Sequence, residues 1–363
     1  MLSDHQRAED IANFLKTSGW ADGHLNWLPQ DASTRRYARL TRPDGSSAIL
    51  MDAPAVEDQP CTPDMTPAER IAAGWNATSR LAASRVDAFV LIANHLQRCG
   101  LTPPQIKSYD VAGGLALIED FGTEREFARL IERGAADETE LYVRAAEQLA
   151  KLQACETPKT LEQDGLVWPI QAFDAVALRA NVDLFVEWLP QLDRRMQLKD
   201  EGNQVWTTTI TELIDRTQSM PRRFTLRDYH AENLLLLPSE RIGLLDFQDA
   251  VLGWDAWDMA MLVQDARRPV SETARESAIC AFVEKSGTNE AAFRERLAII
   301  GALNALRITG LFARLQVRDG KNRYAAFMPR QQWLLAENLK HPANRNLARF
   351  IEDAAPFILS ASE

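Results

Sequence analysis

At 363 residues the chain is too long for one minimal domain and suits two lobes. An apolar content of 46% allows a large core, and a net charge of −10 argues against nucleic acid or an anionic membrane surface as partner. Cys61, Cys99, Cys155 and Cys280 are scattered with no Cys-x-x-Cys pair, which fits thiols in a reducing cytosol rather than a disulfide framework or a zinc site. The first ten residues are polar, and no apolar run approaches the roughly 18 residues a bilayer requires, so a cytoplasmic protein is expected.

Ile11, Phe14 and Leu15 predict a short amphipathic helix over residues 5–19. RRYARL and SSAILMD, joined by Arg42-Pro43-Asp44-Gly45, predict a β-hairpin over 31–52. Pro54, Pro60, Pro63 and Pro67 mark 53–68 as a loop. A helix is predicted from Val86 to Leu96, ending near Gly100. A second hairpin follows over 106–119, turning at Gly113-Gly114. From about residue 124 the spacing is helical, as in Leu141, Ala145, Leu149 and Leu152. Strands interrupt only at 225–237 and 241–247, and everything after 255 reads as helix. The pattern predicts an α+β chain with a small β-rich lobe, 1–119, and a large α-rich lobe, 120–363, sharing a cleft suited to a ligand.

The chemistry concentrates in Thr225-Leu-Arg-Asp-Tyr-His-Ala-Glu-Asn-Leu-Leu-Leu-Leu237 and Gly243-Leu-Leu-Asp-Phe-Gln-Asp-Ala250. Asp228 and Asn233 lie in a loop entering an apolar strand, and a second strand delivers Asp246 at its end. A carboxylate that takes a hydroxyl proton, with an amide oxygen and a second carboxylate that hold Mg²⁺ against phosphates, suits phosphoryl transfer. Asp and Asn also favour turns, so the weight lies on the three together.

This pattern resembles the catalytic loop and metal motif of kinase-like folds. The longer strings Leu-Arg-Asp-Tyr-His-x-x-Asn-Leu and Leu-Asp-Phe-Gln-Asp-Ala-x-x-Gly resemble the aminoglycoside phosphotransferase family. Within it they are most similar to bacterial anomeric kinases that act on N-acetylmuramate and N-acetylglucosamine in cell-wall recycling. Asp31-Ala-Ser-Thr-Arg-Arg-Tyr37, Met51-Asp-Ala-Pro54 and the stretch from Gly310 to Lys321 extend the resemblance over about residues 28–335. It implies a two-lobed protein-kinase-like fold with a nucleotide-binding lobe at 1–119 and a catalytic, acceptor-binding lobe at 120–363. It also implies ATP and Mg²⁺ as cofactors, Asp228 as catalytic base, and Asn233 and Asp246 as Mg²⁺ ligands. Asp120-Phe121-Gly122 spells the usual metal motif but precedes the catalytic loop. It fits the inter-lobe hinge instead, where backbone around Glu119 would meet adenine.

The 31–39 segment stands where a phosphate-covering loop is expected. It has no glycine, but Ser33 and its neighbours are small enough for backbone amides to approach phosphates, and a solvated basic hairpin is the plain alternative. Met51 stands where a third-strand lysine usually holds the α- and β-phosphates. Arg36, or else Arg35, is the expected replacement, and strand alternation allows only one of them to point inward. Arg227, His230, Asp249, Asp265 and Arg314 are candidate acceptor contacts. A basic rear wall from Arg307 to Arg330 fits a neutral or anionic acceptor better than a cationic aminoglycoside, and an ordinary solvated helix face is the equal alternative. Departures from the sugar-kinase pattern are Leu226 in place of His, Leu303-Asn304 in place of Gln-Arg, and Asn181 in place of Glu. The expected partner is a small hydroxylated substrate. Choline, homoserine or an aminoglycoside is the alternative acceptor, a nucleotide-binding pseudokinase the non-enzymatic alternative, and monomer or dimer is left open.

Overall fold

A computed structural model describes residues 4–29, 35–54, 61–81, 85–199 and 201–361. The chain begins with α1 (Asp4–Thr17), β1 (His24–Trp27), β2 (Arg36–Thr41), β3 (Ser47–Asp52), α2 (Pro67–Ala72), α3 (Val86–Arg98), β4 (Ile106–Asp110) and β5 (Leu115–Glu119). Next come α4 (Phe127–Glu132), α5 (Glu138–Ala154), β6 (Thr160–Gln163), β7 (Leu166–Pro169), α6 (Ala175–Leu192) and α7 (Gly202–Thr217). The remainder is β8 (Arg222–Thr225), β9 (Leu234–Leu236), β10 (Ile242–Leu244), β11 (Val251–Trp254), α8 (Trp257–Val263), α9 (Glu272–Ser286), α10 (Glu290–Val317), α11 (Met328–Leu339) and α12 (Arg345–Ala354). Contacts divide these into two compact units. The first is Met1–Arg129, Pro158–Gln171 and Asn233–Ala250; the second is Leu130–Thr157, Ala172–Glu232 and Val251–Glu363. Two later segments therefore pack with the first unit.

In the first unit an antiparallel sheet is ordered β1-β2-β3-β5-β4. Alternation along the strands sends Ala38, Leu40, Ala48, Leu50, Leu115 and Leu117 to one face, where they bury against Ile11, Phe14 and Leu15 of α1. Tyr37, Met51 and Ala116 are paired across the strands in the alternate positions. At the end of β3 the fully buried Asp52 binds Arg7 of α1 at 2.5 Å and also Arg36 of β2. Arg7 also donates to the carbonyl of Gly113 at 2.6 Å, so one carboxylate ties α1, two strands and the β4–β5 turn together.

The β9–β10 hairpin docks in this unit through Leu244 N–H to the Thr102 carbonyl (3.0 Å) and Leu236 N–H to the Arg125 carbonyl (2.9 Å). Phe247, just past it, packs on Phe89 of α3 with ring centroids 4.8 Å apart. The β6–β7 ribbon was not among the predicted elements. Its turn residues Asp164 and Gly165 have φ of 50° and 80°, the Asp-Gly hairpin turn that sequence can reveal. Short, mostly exposed β1 carries no comparable signal.

The second unit is helical apart from β8 paired with β11, which strand periodicity did not reveal because each has only four residues. Among the described residues α10 is the one helix long and apolar enough to cross a membrane, but 78% of its apolar window is buried inside the protein. It is the core helix. It crosses α6 at Gly310, where a Cβ would come within 2.3 Å of the Leu184 backbone. Trp254 and Trp257 are buried and pack on Phe173, with ring centroids at 5.4 and 4.7 Å.

The loop after β8 is held from below. Asp258, in the first turn of α8 and fully buried, accepts from the amides of Leu226 (2.7 Å) and Arg227 (2.8 Å). The Tyr229 hydroxyl donates to the Ala145 carbonyl at 2.8 Å. Burial pushes Asp258 up to about 7, and the two amide bonds oppose that rise.

Gly310→Ala is expected to lower stability by about 1–3 kcal/mol, the range for overpacking, read as a fall in Tm. Asp258→Ala should cost about 1–3 kcal/mol for each amide left without an acceptor. The folded-state pKa of Asp258, about 7, lies above the ordinary 3.8, so the native state holds the proton more tightly than the unfolded chain. The stability tied to this carboxyl is full at acid pH and is lost as pH rises from about 4 to about 7. The Tm of the wild-type protein, measured against Asp258→Asn, should fall across that window. A rise would mean that the two amide bonds outweigh burial.

Candidate active site

Two non-glycine residues in the catalytic segments have left-handed backbones: Arg227 (φ 76°) and Asp246 (φ 53°). Such strain persists only where the surroundings enforce it, and it gathers at functional sites. For Arg227 the Asp258 carboxylate supplies part of the enforcement. For Asp246 the neighbours are the end of β10 and the Phe247–Phe89 contact.

In the first unit, the pairing of β9 with β10 puts Asn233 and Asp246 at the same end of the hairpin, where the Leu245 amide donates to the Asn233 carbonyl at 2.9 Å. Oδ1 of Asp246 accepts from Arg35 Nη2 (2.9 Å) and from Gln248 Nε2 (2.8 Å). Arg35 is buried, whereas the Asp246 side chain is 42% exposed and accessible to a ligand. Asp249, three residues on, is paired with Arg80 at 2.7 Å. Tyr37, whose hydroxyl end is enclosed, is pushed up by burial and senses Arg35, Asp246 and Asp249. The sheet face opposite α1 therefore adjoins this charged group.

The donor set suits Mg²⁺. An amide oxygen and a carboxylate are hard ligands, and Mg²⁺ commonly takes only one or two protein oxygens beside water and phosphates. No cluster of three or more His, Cys, Asp or Glu side chains that could hold a metal occurs among the described residues.

The remaining nucleotide-side expectations fall out as follows. Met51 is fully buried, and β3 presents no lysine. Arg36 lies on the α1 side of the sheet, bonded to Asp52 and stacked 4.6 Å over the Trp27 ring. The cation beside Asp246 is thus Arg35 rather than Arg36, and strand parity is the reason. Glu119, at the end of β5, accepts from the Gln105 amide through its side chain at 3.1 Å. Ser33 lies outside the described residues. Asp120 is bound by Arg39 at 2.7 Å, a structural ion pair.

In the second unit Asp228 is half-buried, and its charge acts on both Asp258 and Arg307 of α10. Arg227 is buried with its guanidinium 4.8 Å over the Phe173 ring. His230 is buried and meets Arg267 Nη1 through Nε2 at 3.1 Å; Arg267 also pairs with Glu232 at 3.4 Å. Asp265 is almost fully buried and accepts from the Arg267 amide at 2.8 Å, while its carbonyl accepts from Arg330 at 2.7 Å. Arg314 is lowered by burial and senses Arg318, Glu187 and Asp319. Arg80 was not singled out from sequence and gave no signal there. Arg307 is the first residue of the expected basic rear wall and the one charge in the apolar run Ile299–Thr309.

The phosphotransferase enzyme family model, APH, matches residues 25–295. An N-acetylmuramate/N-acetylglucosamine kinase of Caulobacter vibrioides is 41% identical over 98% of this chain and 99% of its own length. A kinase of the same name from Pseudomonas putida is 27% identical over 89% of this chain and 86% of its own. Among solved structures, a choline/ethanolamine kinase family protein from Mesorhizobium loti superposes with a TM-score of 0.58 at 18% identity, covering 96% of this chain and 99% of that one. An ADP-bound aminoglycoside phosphotransferase gives 0.54 at 11%, covering 92% and 99%. These last two likenesses establish the protein-kinase-like fold. The chain is an enzyme of the phosphotransferase family APH, built on that fold and using a hydroxyl group as acceptor.

Proposed function

We propose that this protein transfers the γ-phosphate of ATP, with Mg²⁺, to a hydroxyl of an amino sugar of the N-acetylmuramate/N-acetylglucosamine type, in the cytoplasm. The observation that carries this reading is the 41% identity to a kinase of that name over essentially both whole chains. Acceptor-recognising side chains are dispersed along a chain, so similarity of that extent bears on them as well as on the short motifs. The choline-kinase alternative draws on likeness of fold alone, and Trp254 and Trp257, which follow the catalytic segments, are buried in the core rather than exposed to form an aromatic cage.

In this reading Asp228 orients the acceptor hydroxyl and takes its proton. Asn233 and Asp246 would hold Mg²⁺, which when bound neutralises charge on the phosphates. Asp258 keeps the Leu226–Arg227 amides fixed, and so sets the direction in which Asp228 points. Arg35 supplies the positive charge beside Asp246 that other kinases draw from the third-strand lysine.

ADP release measured over N-acetylmuramate, N-acetylglucosamine, choline, homoserine and an aminoglycoside is expected with the two sugars. Its absence with both would refute the assignment. Asp228→Asn should lower kcat by about 10²–10⁴, the share of a general base, with ATP binding retained. Arg35→Ala should raise the KM for ATP about tenfold or more, as for loss of a charged hydrogen bond. Arg36→Ala should leave that KM unchanged and lower Tm through Asp52. Equal KM values for wild type and Arg35→Ala would rule out the role of Arg35.

A further inference from the structure

The second unit holds an arginine whose surroundings are incomplete. Arg307 sits on α10 three residues after Asn304, in the apolar stretch that forms the core of the unit. Its Nε donates to Asn304 Oδ1 at 3.0 Å, Nη2 reaches the Met261 sulfur at 3.9 Å, and the guanidinium lies 5.6 Å from the Trp257 ring centroid. These are a neutral amide, a thioether and an aromatic ring. Among the described residues no carboxylate comes within 4 Å of it. Other arginines of the unit are treated differently: Arg296 is bidentate on Asp255, with bonds of 2.7 and 3.1 Å, and Arg268 is paired with Glu138 at 3.1 Å.

The charges around Arg307 increase the imbalance. Arg227 and Arg267 act on it as like charges, and Asp228 is the counter-charge. Arg267 in turn pairs with the exposed Glu232 at 3.4 Å. Arg307 is half-buried, and burial pushes it down to about 10, so it remains a cation at neutral pH with only part of the hydration that stabilises one. A half-buried guanidinium that feels the Asp228 charge and has only neutral groups as hydrogen-bond partners suits an anion brought by the ligand. Its planar fork matches a carboxylate in two parallel hydrogen bonds.

We propose that Arg307 binds the carboxylate of an acid-bearing acceptor and thereby sets the preference for that acceptor over its neutral counterpart. The inference rests on the amino-sugar reading given above. The two candidate sugars differ by a lactyl ether, and that ether carries the one carboxylate between them. Arg314, assigned to the acceptor from sequence, lies seven residues further on the same helix face, about 10 Å away at 1.5 Å per residue, among Arg318, Glu187 and Asp319.

The test compares kcat/KM for N-acetylmuramate and N-acetylglucosamine at saturating Mg-ATP in the full-length wild type, Arg307→Gln and Arg307→Lys. Arg307→Gln should lose about 10–100-fold with N-acetylmuramate, mostly in KM, as for a lost charged hydrogen bond. Its loss with N-acetylglucosamine should be at least about tenfold smaller, so the ratio of the two sugars reads the carboxylate contact, and an unchanged Tm verifies that the variant is folded. Arg307→Lys should recover part of the loss, and it carries the comparison alone if the Gln variant does not fold. An equal loss with both sugars would overturn the proposal, because it would place Arg307 on the transferring phosphate or in the fold. No loss with either would overturn it as well. If the wild type phosphorylates neither sugar, the functional reading itself fails; wild-type turnover with an unchanged sugar ratio defeats only the role of Arg307.

Discussion

A single buried carboxylate, Asp258, organises the loop from which the acceptor chemistry is read. It sits at the start of α8 and receives two consecutive backbone amides, those of Leu226 and Arg227, at 2.7 and 2.8 Å. Two consecutive amides can converge on one side chain only if the chain turns sharply, and Arg227 accordingly has a φ of 76°. The energy of that conformation is met by two hydrogen bonds to a group that burial has deprived of other partners. Asp228 follows immediately, so its direction is inherited from the turn. The Tyr229 hydroxyl on the Ala145 carbonyl then anchors the next residue to α5.

The first unit solves a different problem, the absence of a lysine on β3. The register position is filled by buried Met51, and the following residue, Asp52, has the opposite charge. That acid recruits Arg7 and Arg36 to the α1 side of the sheet and so removes Arg36 from the other side. The adjacent Arg35 is then the cation found at Asp246. Moving a positive charge from one strand to the segment before its neighbour keeps a cation beside the half-exposed Asp246 carboxylate. The Arg80–Asp249 pair three residues on adds a second ion pair to the same loop.

Much of the fold was legible because long amphipathic helices and strong turn signals carry their own periodicity. α1, α3, α5, the β2–β3 hairpin and the β4–β5 hairpin all arise where predicted. The elements that escaped are short. The Asp164-Gly165 turn was available in the sequence, but strands of four residues on either side of it are too brief for alternation to register. β8 and β11 pair across 25 intervening residues, a separation that no local pattern reports. The assignment of 158–171 and 233–250 to the first unit has the same origin. The ribbon packs on α3 through Asn94 and Gln163, and the β9–β10 hairpin bonds to Thr102.

The amino-acid sequence alone determined the class of chemistry. Asp228, Asn233 and Asp246 are distinguished by residue type and spacing, and such spacing survives in the linear chain because two neighbouring segments carry all three. It also determined the parity constraint at Arg35 and Arg36, since alternation is a local property of a strand. Tertiary structure decided which arginine faces Asp246, through the buried position of Asp52. It decided that Asp249 is engaged by Arg80, that Asp265 turns inward, and that Arg307 lies within reach of the Asp228 charge. Each of those outcomes depends on which distant partner occupies the neighbouring space, and one-dimensional pattern holds no record of that.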